Sequence, residues 1–246
     1  DYFKPKFLLG LTATPERMDG KNIYEICDYN VPYEISLKEA INKGMLVPFH
    51  YYGIFDETDY SKLHIVRGRY DEKELNETYI GNVRRYELIY KYYCKYGSRQ
   101  ALGFCCSREH AREMAKEFSK RGIPSVAVFS DASGEYTEDR NVAIRQLKQG
   151  KIRVIFSVDN EGVAVDMVMF LRPTESPIVF LQQLGRGLRK CRGKEFLTVL
   201  DFIGNYEKAG RVRFLLSDRS NQHAGVYNPS DTSAFPDDCL VDFDMK

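Results

Sequence analysis

The sequence has no tryptophan, no Cys-x-x-Cys pair and no apolar run long enough to cross a membrane. A membrane span needs about 18 consecutive apolar residues, and the first residues also lack the charged-then-apolar layout of a signal peptide. Its six cysteines include the adjacent Cys105 and Cys106, which would point to opposite faces of a strand. These absences argue against a membrane protein, a zinc knuckle and a disulfide scaffold, and we expect a cytoplasmic protein with reduced thiols.

An excess of charge of one sign is also lacking, since 36 basic residues balance 35 acidic ones for a net charge of +1. This sum neither predicts nor excludes a nucleic-acid partner, because binding depends on where the charges lie. The 246 residues are 43% hydrophobic, which is enough to bury a core in one large or two modest domains. Composition therefore favours a folded protein of mixed α/β class over a disordered chain.

The first apolar run, Phe7 to Leu11, predicts a buried strand that has almost nothing before it to pair with. We therefore interpret the chain as a fragment whose preceding sheet lies upstream. Farther on, aromatic residues recur at three- and four-residue steps and predict one long connector helix from about Asp71 to Tyr96. The predicted division is the remnant of a first domain at 1–52, a connector at 53–94, a second domain at 95–218 and an irregular tail or linker at 219–246.

From Arg99 the pattern becomes regular, because short β-branched and aromatic runs alternate with amphipathic helices. Continuous apolar runs such as Val154-Ile155-Phe156 are typical of strands in a parallel sheet that helices cover on both faces. We therefore expect a doubly wound α/β domain. Its predicted strands are 100–106, 124–130, 152–158, 165–171 and 195–203, and its predicted helices are 108–121, 137–149 and 176–190.

The most specific segment runs from Gln182 to Lys190 and has the sequence QQLGRGLRK. On a helix, Gln182, Arg186 and Arg189 follow one another at steps of four and three, so we expect their side chains to leave one face. Two guanidinium groups a turn apart suit a polyanionic ligand, since each offers planar forked donors to phosphate oxygens. The alternative is a solvated basic helix end whose cations offset the helix dipole.

Four segments occur in the order in which superfamily-two helicases carry their motifs III to VI. Residues 12–17, with the sequence TATPER, resemble motif III of the branch that includes type I restriction translocases and excision-repair helicases. Residues 103–111 (GFCCSREHA) resemble motif IV, residues 160–163 (NEGV) resemble the core of motif V, and residues 182–189 resemble motif VI. Over roughly residues 7–216 the chain is identified as a member of this superfamily, similar to bacterial DEAD/DEAH-type helicases.

The resemblance implies a RecA-like fold and places the chain at the C-terminal motor domain of a larger bacterial helicase. In such a protein ATP lies between two RecA-like domains, and motif VI presents arginine fingers to the γ-phosphate. For the threonines of motif III, which would couple domain closure to strand binding, the alternative is a turn that caps the strand end. The implied roles are catalytic for Arg186, Arg189 and Gln182, ATP-binding for Gly162, Glu161 and Gly185, and coupling for Thr12 and Thr14.

Polar residues also lie at or just after the carboxyl ends of three of the predicted strands, at Ser107, Arg108, Ser130 and Ser157. These positions are carboxyl ends of parallel strands, where open α/β sheets bind ligands. Short hydroxyl groups and a guanidinium there would hold the phosphates of a nucleic acid and would not read its bases. Each serine has the alternative role of a strand-end cap.

The chain departs from the family pattern at two places. No GxxxxGK[ST] loop occurs, so the phosphate cradle, its lysine and its Mg²⁺-binding hydroxyl are missing. Asp159 precedes the motif V core and Ala164 follows it, where the family has apolar residues and Gly-Val-Asp, so the motif is degenerate or residues are missing. We expect an upstream P-loop domain of the same chain to bind most of ATP and Mg²⁺, and we expect the fragment alone to be inactive.

The sequence thus predicts an ATP-dependent helicase or translocase, and by resemblance we expect DNA as its partner and DNA repair, restriction or defence as its setting. The resemblance also implies a fused nuclease or restriction module, although the HxK pattern of a phospholipase-D-like nuclease is absent. No spacing of histidines or cysteines predicts a metal site. Two alternatives stay open, a non-catalytic α/β module for nucleic-acid binding or interaction, which the missing P-loop favours, and an RNA helicase.

Overall fold

The computed structural model describes residues 6–12, 23–66, 69–131, 133–158, 163–173, 177–203, 216 and 235–244. By its contacts the chain separates into two compact units, Asp1–Ser36 and Leu37–Lys246. The described part of the first unit contains a short 3-10 helix, Ile23–Cys27. The apolar side chains from Phe7 to Leu11 are exposed and have no neighbouring strand among the described residues, so this run differs from the buried strand that the sequence predicts.

The second unit alternates strands and helices. Its described helices are α1 (Leu37–Asn42), α2 (Glu72–Tyr79), α3 (Val83–Tyr96), α4 (Arg108–Lys120), α5 (Arg140–Lys148) and α6 (Pro177–Gly187). Its described strands are β1 (Phe49–Phe55), β2 (Ile65–Val66), β3 (Arg69–Tyr70), β4 (Ala101–Phe104), β5 (Ser125–Val128), β6 (Val154–Ser157), β7 (Met167–Phe170), β8 (Leu197–Ile203) and β9 (Leu240–Asp244).

Seven strands form one parallel sheet in the order β5-β6-β4-β7-β8-β1-β9. All residues of the central strands β4, β6 and β7 are buried, which explains their continuous apolar sequences. Phe170 and Leu184 belong to one core cluster, and Phe118 and Phe156 belong to another. The doubly wound parallel α/β domain predicted from the sequence is therefore confirmed.

Two contacts fix the strands closely side by side. A Cβ atom on Gly103 of β4 would lie 2.5 Å from Cδ1 of Phe156 on β6, so only glycine fits beside that ring. On β1, the buried Tyr51 hydroxyl donates to Oδ2 of Asp201 on β8 at 2.6 Å. The sheet therefore includes β1 as an integral strand.

This placement differs from the predicted division of the chain. The predicted boundary after residue 52 falls inside β1, which lies between β8 and β9. Strand β9 falls within the predicted tail, and it pairs with β1. The predicted connector helix is two helices, because Gly81 has a positive φ of 78° and Asn82 caps α3 by accepting from Arg85 N.

A small lobe, defined as residues 56–82, lies between β1 and α3 in the chain. It contains a 3-10 helix (Tyr60–Lys62), the β2–β3 hairpin and α2. Its buried residues Tyr60, Leu75 and Tyr79 pack with Cys106, which follows β4. The small lobe therefore covers part of the carboxyl edge of the sheet.

Among the residues that the structure describes, no helix combines the length and the apolar character needed to span a membrane.

Candidate functional site

The segment from Gln182 to Lys190, called the arginine segment below, lies at the end of α6. Phe180 and Leu184 on this helix, and Leu188 just after it, are buried in the core, so the opposite side of the helix faces outward. Arg186 lies in the last turn and is half-exposed, whereas Arg189 is exposed two residues past the helix end. The helical face expected for three residues therefore holds for Gln182 and Arg186, and Arg189 extends from the turn that follows.

The guanidinium groups of this segment are available for a ligand. Within the described part of the chain, the side chains of Arg186 and Arg189 make no hydrogen bond or ion pair. Gln182 is exposed, and a Cβ atom on Gly185 would meet nothing within 4 Å. Its neighbour Gln183 is instead buried. The outer face of α6 is thus open, and it presents forked cationic donors of the kind that bind phosphate oxygens.

A close contact holds the end of α6 against the sheet. A Cβ atom on Gly187 would lie 2.5 Å from Cδ2 of Leu197, the first residue of β8. Glycine therefore lets the helix end approach the strand more closely than any other residue could. The arginine segment therefore lies where the end of α6 packs closely against β8.

Several predicted site residues fall elsewhere. Glu161, Gly162 and Thr14 lie outside the described residues. Thr12 is exposed in the first unit. Asp166, just before β7, is not a predicted site residue, and it accepts from Ser98 Oγ at 2.5 Å and from two backbone N–H groups that lead into β4. Its carboxylate therefore fixes the entry of a neighbouring strand.

Two of the predicted nucleic-acid contacts are buried. Ser107 Oγ accepts from His110 N at 3.0 Å, which caps α4, and donates to Asn76 Oδ1 of the small lobe at 2.5 Å. Ser157 at the end of β6 is also fully buried. In this arrangement neither hydroxyl group can reach a ligand, and for Ser107 the geometry is that of the cap.

Arg108 and Ser130 remain on the surface of the same edge, where two further residues join them. The Cζ atoms of Arg108 and Arg112 each lie 5.7 Å from the ring centroid of Phe129, which follows β5. Two cations around an aromatic ring suit phosphates and a stacked base. Sequence reasoning missed Arg112 and Phe129, although the spacing of four residues on a helix was a usable signal for Arg112.

The small lobe is joined to the sheet through a buried ion pair. Arg85 Nε donates to Asp56 Oδ2 at 3.1 Å, and both side chains are 2% exposed. Arg85 also donates to the Leu171 carbonyl oxygen at 3.0 Å and lies 3.9 Å from the ring centroid of Tyr79. The acidic run at residues 56–59 is typical of a solvated turn, but Asp56 is buried because it pairs with Arg85, 29 residues away.

Cys106 and His110 form the other polar contact below the small lobe. Cys106 Sγ lies 3.3 Å from His110 Nδ1. Burial raises the pKa of the Cys106 thiol to about 11 and lowers the pKa of His110 well below its usual value. Both groups are neutral at pH 7, so this pair cannot act as a thiolate nucleophile with an imidazolium partner.

The described residues fit only part of an ATP site. The unpartnered guanidinium groups suit a polyphosphate, but the sequence has no P-loop. Among the described residues no group of three or more histidine, cysteine or acidic side chains could hold a metal ion. The chain could therefore contribute cationic donors to a polyphosphate, but its sequence contains no P-loop that would cradle the phosphates.

No protein-family model matches the chain, but relatives are found by sequence. A 51.5 kDa protein of a Lactococcus phage is 30% identical over 82% of this chain and 44% of that protein. A Saccharomyces cerevisiae protein provisionally named an ATP-dependent helicase is 26% identical over 80% of this chain and 29% of that protein. An Escherichia coli type I restriction enzyme EcoAI endonuclease subunit is 24% identical over 87% of this chain and 30% of that protein.

The chain spans less than half the length of these relatives. A solved fragment of a provisionally assigned HsdR subunit of a type I restriction enzyme from Vibrio vulnificus matches 98% of this chain and 44% of that chain, with a TM-score of 0.65 and 22% identity. At this identity the likeness establishes the fold. The chain is therefore similar in sequence to a protein named as a helicase and to a type I restriction enzyme subunit, and it has a RecA-like α/β fold.

Proposed function

We propose that this chain supplies the second RecA-like domain of an ATP-dependent helicase or translocase that acts on DNA. The observation that carries the proposal is the pair of guanidinium groups of Arg186 and Arg189, which have no partner among the described residues, at the packed end of α6. The name of the yeast relative supports an ATP-driven enzyme. The restriction-enzyme relative favours DNA over RNA as the substrate.

The chemistry assigned to the arginine segment is stabilisation of charge during hydrolysis. ATP, bound with Mg²⁺ mainly by an upstream P-loop domain, supplies the phosphoryl group that is transferred to water. Arg186 and Arg189 would donate to its γ-phosphate oxygens, with Gln182, Gly185 and the motif V residues Glu161 and Gly162 beside them. An arginine finger of this kind is worth roughly 10³–10⁵ in rate. The chain alone, without a P-loop, should hydrolyse no ATP.

The nucleic-acid surface is assigned to the carboxyl edge of the sheet. Arg108, Arg112 and Ser130 would hold phosphates, and Phe129 would offer an aromatic edge to a base. The buried Ser107 and Ser157 would support this surface from below.

The two proposed surfaces lie at opposite edges of one rigid sheet, because α6 runs back from the carboxyl ends of the strands to their amino ends. ATP turnover at one edge can therefore reach the nucleic acid only by moving the domain as a body. Thr12 and Thr14, in the segment that resembles motif III, are proposed to transmit this movement. Residues 1–36, which form a separate unit, are proposed to belong to the preceding domain.

The wider setting follows from the relatives alone. We place the full-length protein in DNA restriction, defence or repair in the cytoplasm, with an attached nuclease or restriction module as the expected partner. The sheet-edge contacts proposed above bind phosphates, so sequence specificity would come from that module.

The test is ATP hydrolysis by the full-length protein with and without DNA. We expect DNA to stimulate hydrolysis and Arg189→Ala to lower kcat by roughly 10³ or more. Arg192→Ala removes an equally charged, exposed side chain three residues away and should leave kcat unchanged. An Arg189→Ala enzyme as active as Arg192→Ala would contradict the finger assignment, and stimulation by RNA but not DNA would overturn the choice of substrate.

A further inference from the structure

Lys194 lies in the turn between α6 and β8, with its ammonium group half-buried beneath the helix end. Its Nζ donates to the carbonyl oxygen of Val165 at 2.5 Å, to that of Arg189 at 3.3 Å and to that of Gly187. The last four carbonyl groups of a helix have no partner within the helix, and a cation near them is favourable. Lys194 therefore closes the C-terminus of α6.

The carbonyl group that Lys194 does not reach has its own donor. The Leu188 carbonyl oxygen accepts from Val47 N at 3.0 Å. All three carbonyl groups from Gly187 to Arg189 are thus hydrogen-bonded, and the Leu188 side chain is buried. The backbone leading to Arg189 is fixed while the Arg189 side chain stays exposed.

The acceptors of Lys194 come from two segments that are distant in sequence. Val165 immediately precedes the entry to β7 and closely follows residues 160–163, which resemble motif V. Gly187 and Arg189 belong to the arginine segment. The Lys194 ammonium group therefore links two segments by hydrogen bonds, the one that follows the motif V segment and the one that carries Arg189.

We propose that Lys194 is a positioning residue for Arg189, which holds the backbone of the arginine segment in register with the segment that precedes β7. The inference rests on the proposed ATPase function. Lys194 itself does not touch the nucleotide in this scheme. It acts by restricting the positions that the Arg189 guanidinium can occupy, and misplacement of a catalytic group by about 1 Å can cost roughly a hundredfold in rate.

The protonation of Lys194 gives this role a pH signature. Burial lowers its pKa to about 8, against the opposing effects of Cys191 and Asp166, which also face it. Asp166 is in turn 3.6 Å from Arg99. As the pH rises through about 8, the ammonium group loses one of the three protons that it donates to three carbonyl oxygens. The restraint on the arginine segment should then weaken.

The experiment compares Lys194→Met with Lys151→Met in the full-length protein, since Lys151 is an exposed lysine before β6. We expect Lys194→Met to lower kcat for DNA-stimulated ATP hydrolysis roughly tenfold to a hundredfold, with KM for ATP and DNA affinity unchanged. Lys151→Met should leave all three unchanged. Amide hydrogen exchange over residues 187–190 should become faster in Lys194→Met only.

A second variant, Lys194→Arg, keeps a cation that does not titrate in this range. It should retain more activity than Lys194→Met. The fall in kcat above pH 8 that we expect for the wild type should be absent in Lys194→Arg. Cys191→Ser should leave that fall in place, which separates Lys194 from its neighbouring thiol. If Lys194→Met fails to fold, the pH profile of Lys194→Arg decides the question.

The outcomes separate this inference from the proposed function. An active wild type whose kcat and hydrogen exchange are both unaffected by Lys194→Met overturns the positioning role and leaves the ATPase intact. A wild type that hydrolyses no ATP with any nucleic acid overturns the proposed function. In that case exchange over residues 187–190 still shows whether Lys194 holds the segment, and unchanged exchange overturns that as well.

Discussion

The predicted ligand-binding residues at the two edges of the parallel sheet differ in their exposure and in their hydrogen-bond partners. At the amino edge, Arg186 and Arg189 have no partner in the described part of the chain. At the carboxyl edge, Ser107 and Ser157 are buried, and the Ser107 hydroxyl donates a hydrogen bond to Asn76 of the small lobe. A guanidinium group that lies at the surface without an acidic partner among the described residues can bind a ligand, whereas a short hydroxyl after a strand is equally suited to capping the next helix.

The largest effect is expected where the small lobe is joined to the carboxyl edge. Arg85→Met removes one partner of the buried pair with Asp56 and leaves its carboxylate uncompensated, so the free energy of unfolding should fall by about 3–5 kcal/mol. Urea denaturation measures this change. Arg84→Met, which alters the exposed neighbouring arginine, should have little effect. Equal stability of the two variants would show that the ion pair does not hold the lobe.

At the amino edge, two glycines two residues apart should respond with opposite signs. Gly187→Ala pushes a methyl group into Leu197 and should lower the free energy of unfolding by about 1–3 kcal/mol. Gly185→Ala enters open space on the same helix and should raise it by up to about 1 kcal/mol. Thermal unfolding of both variants is the measurement. Stabilisation by both would mean that the end of α6 is not held against β8.

The smallest effect tests the cap at the carboxyl edge. Ser107→Ala should lower the free energy of unfolding by about 0.5–2 kcal/mol, because the N-terminus of α4 loses its acceptor. DNA affinity, measured by fluorescence anisotropy on the full-length protein, should not change. Ser130→Ala, at the exposed serine, should weaken binding slightly with no loss of stability. If Ser107→Ala weakened DNA binding without loss of stability, Ser107 would be a direct phosphate contact after all.

The regular part of the domain could be predicted from its sequence, because the signals there are local. Predicted strands such as 152–158 and 165–171 contain the observed β6 and β7. The roles of β1 and β9 could not be predicted, since a parallel strand carries no mark of which distant strand it will pair with. The sequence Ile80-Gly81-Asn82 contains a signal for the break between α2 and α3. We nevertheless predicted one helix, because aromatic residues recur at helical spacing on both sides of the break.

The candidate site was predictable to the same limited extent. The arginine segment was singled out because its spacing resembles motif VI and because three further segments follow the family order. The burial of Ser107 depends on Asn76, 31 residues earlier, and that of Asp56 depends on Arg85. Neither contact has a signal in local spacing.

The position of β1 between β8 and β9 also bears on how the domain is made. Tyr51 and Asp201, which meet across β1 and β8, are 150 residues apart in the chain. At about 5–20 residues per second of synthesis, β1 must wait roughly 8–30 s before its partner leaves the ribosome. Until then the unpaired edge of the apolar strand β1 is exposed and can bind a chaperone or pair with an incorrect strand. Among the strands that the structure describes, β9 is made last, and it completes a sheet that also contains β1.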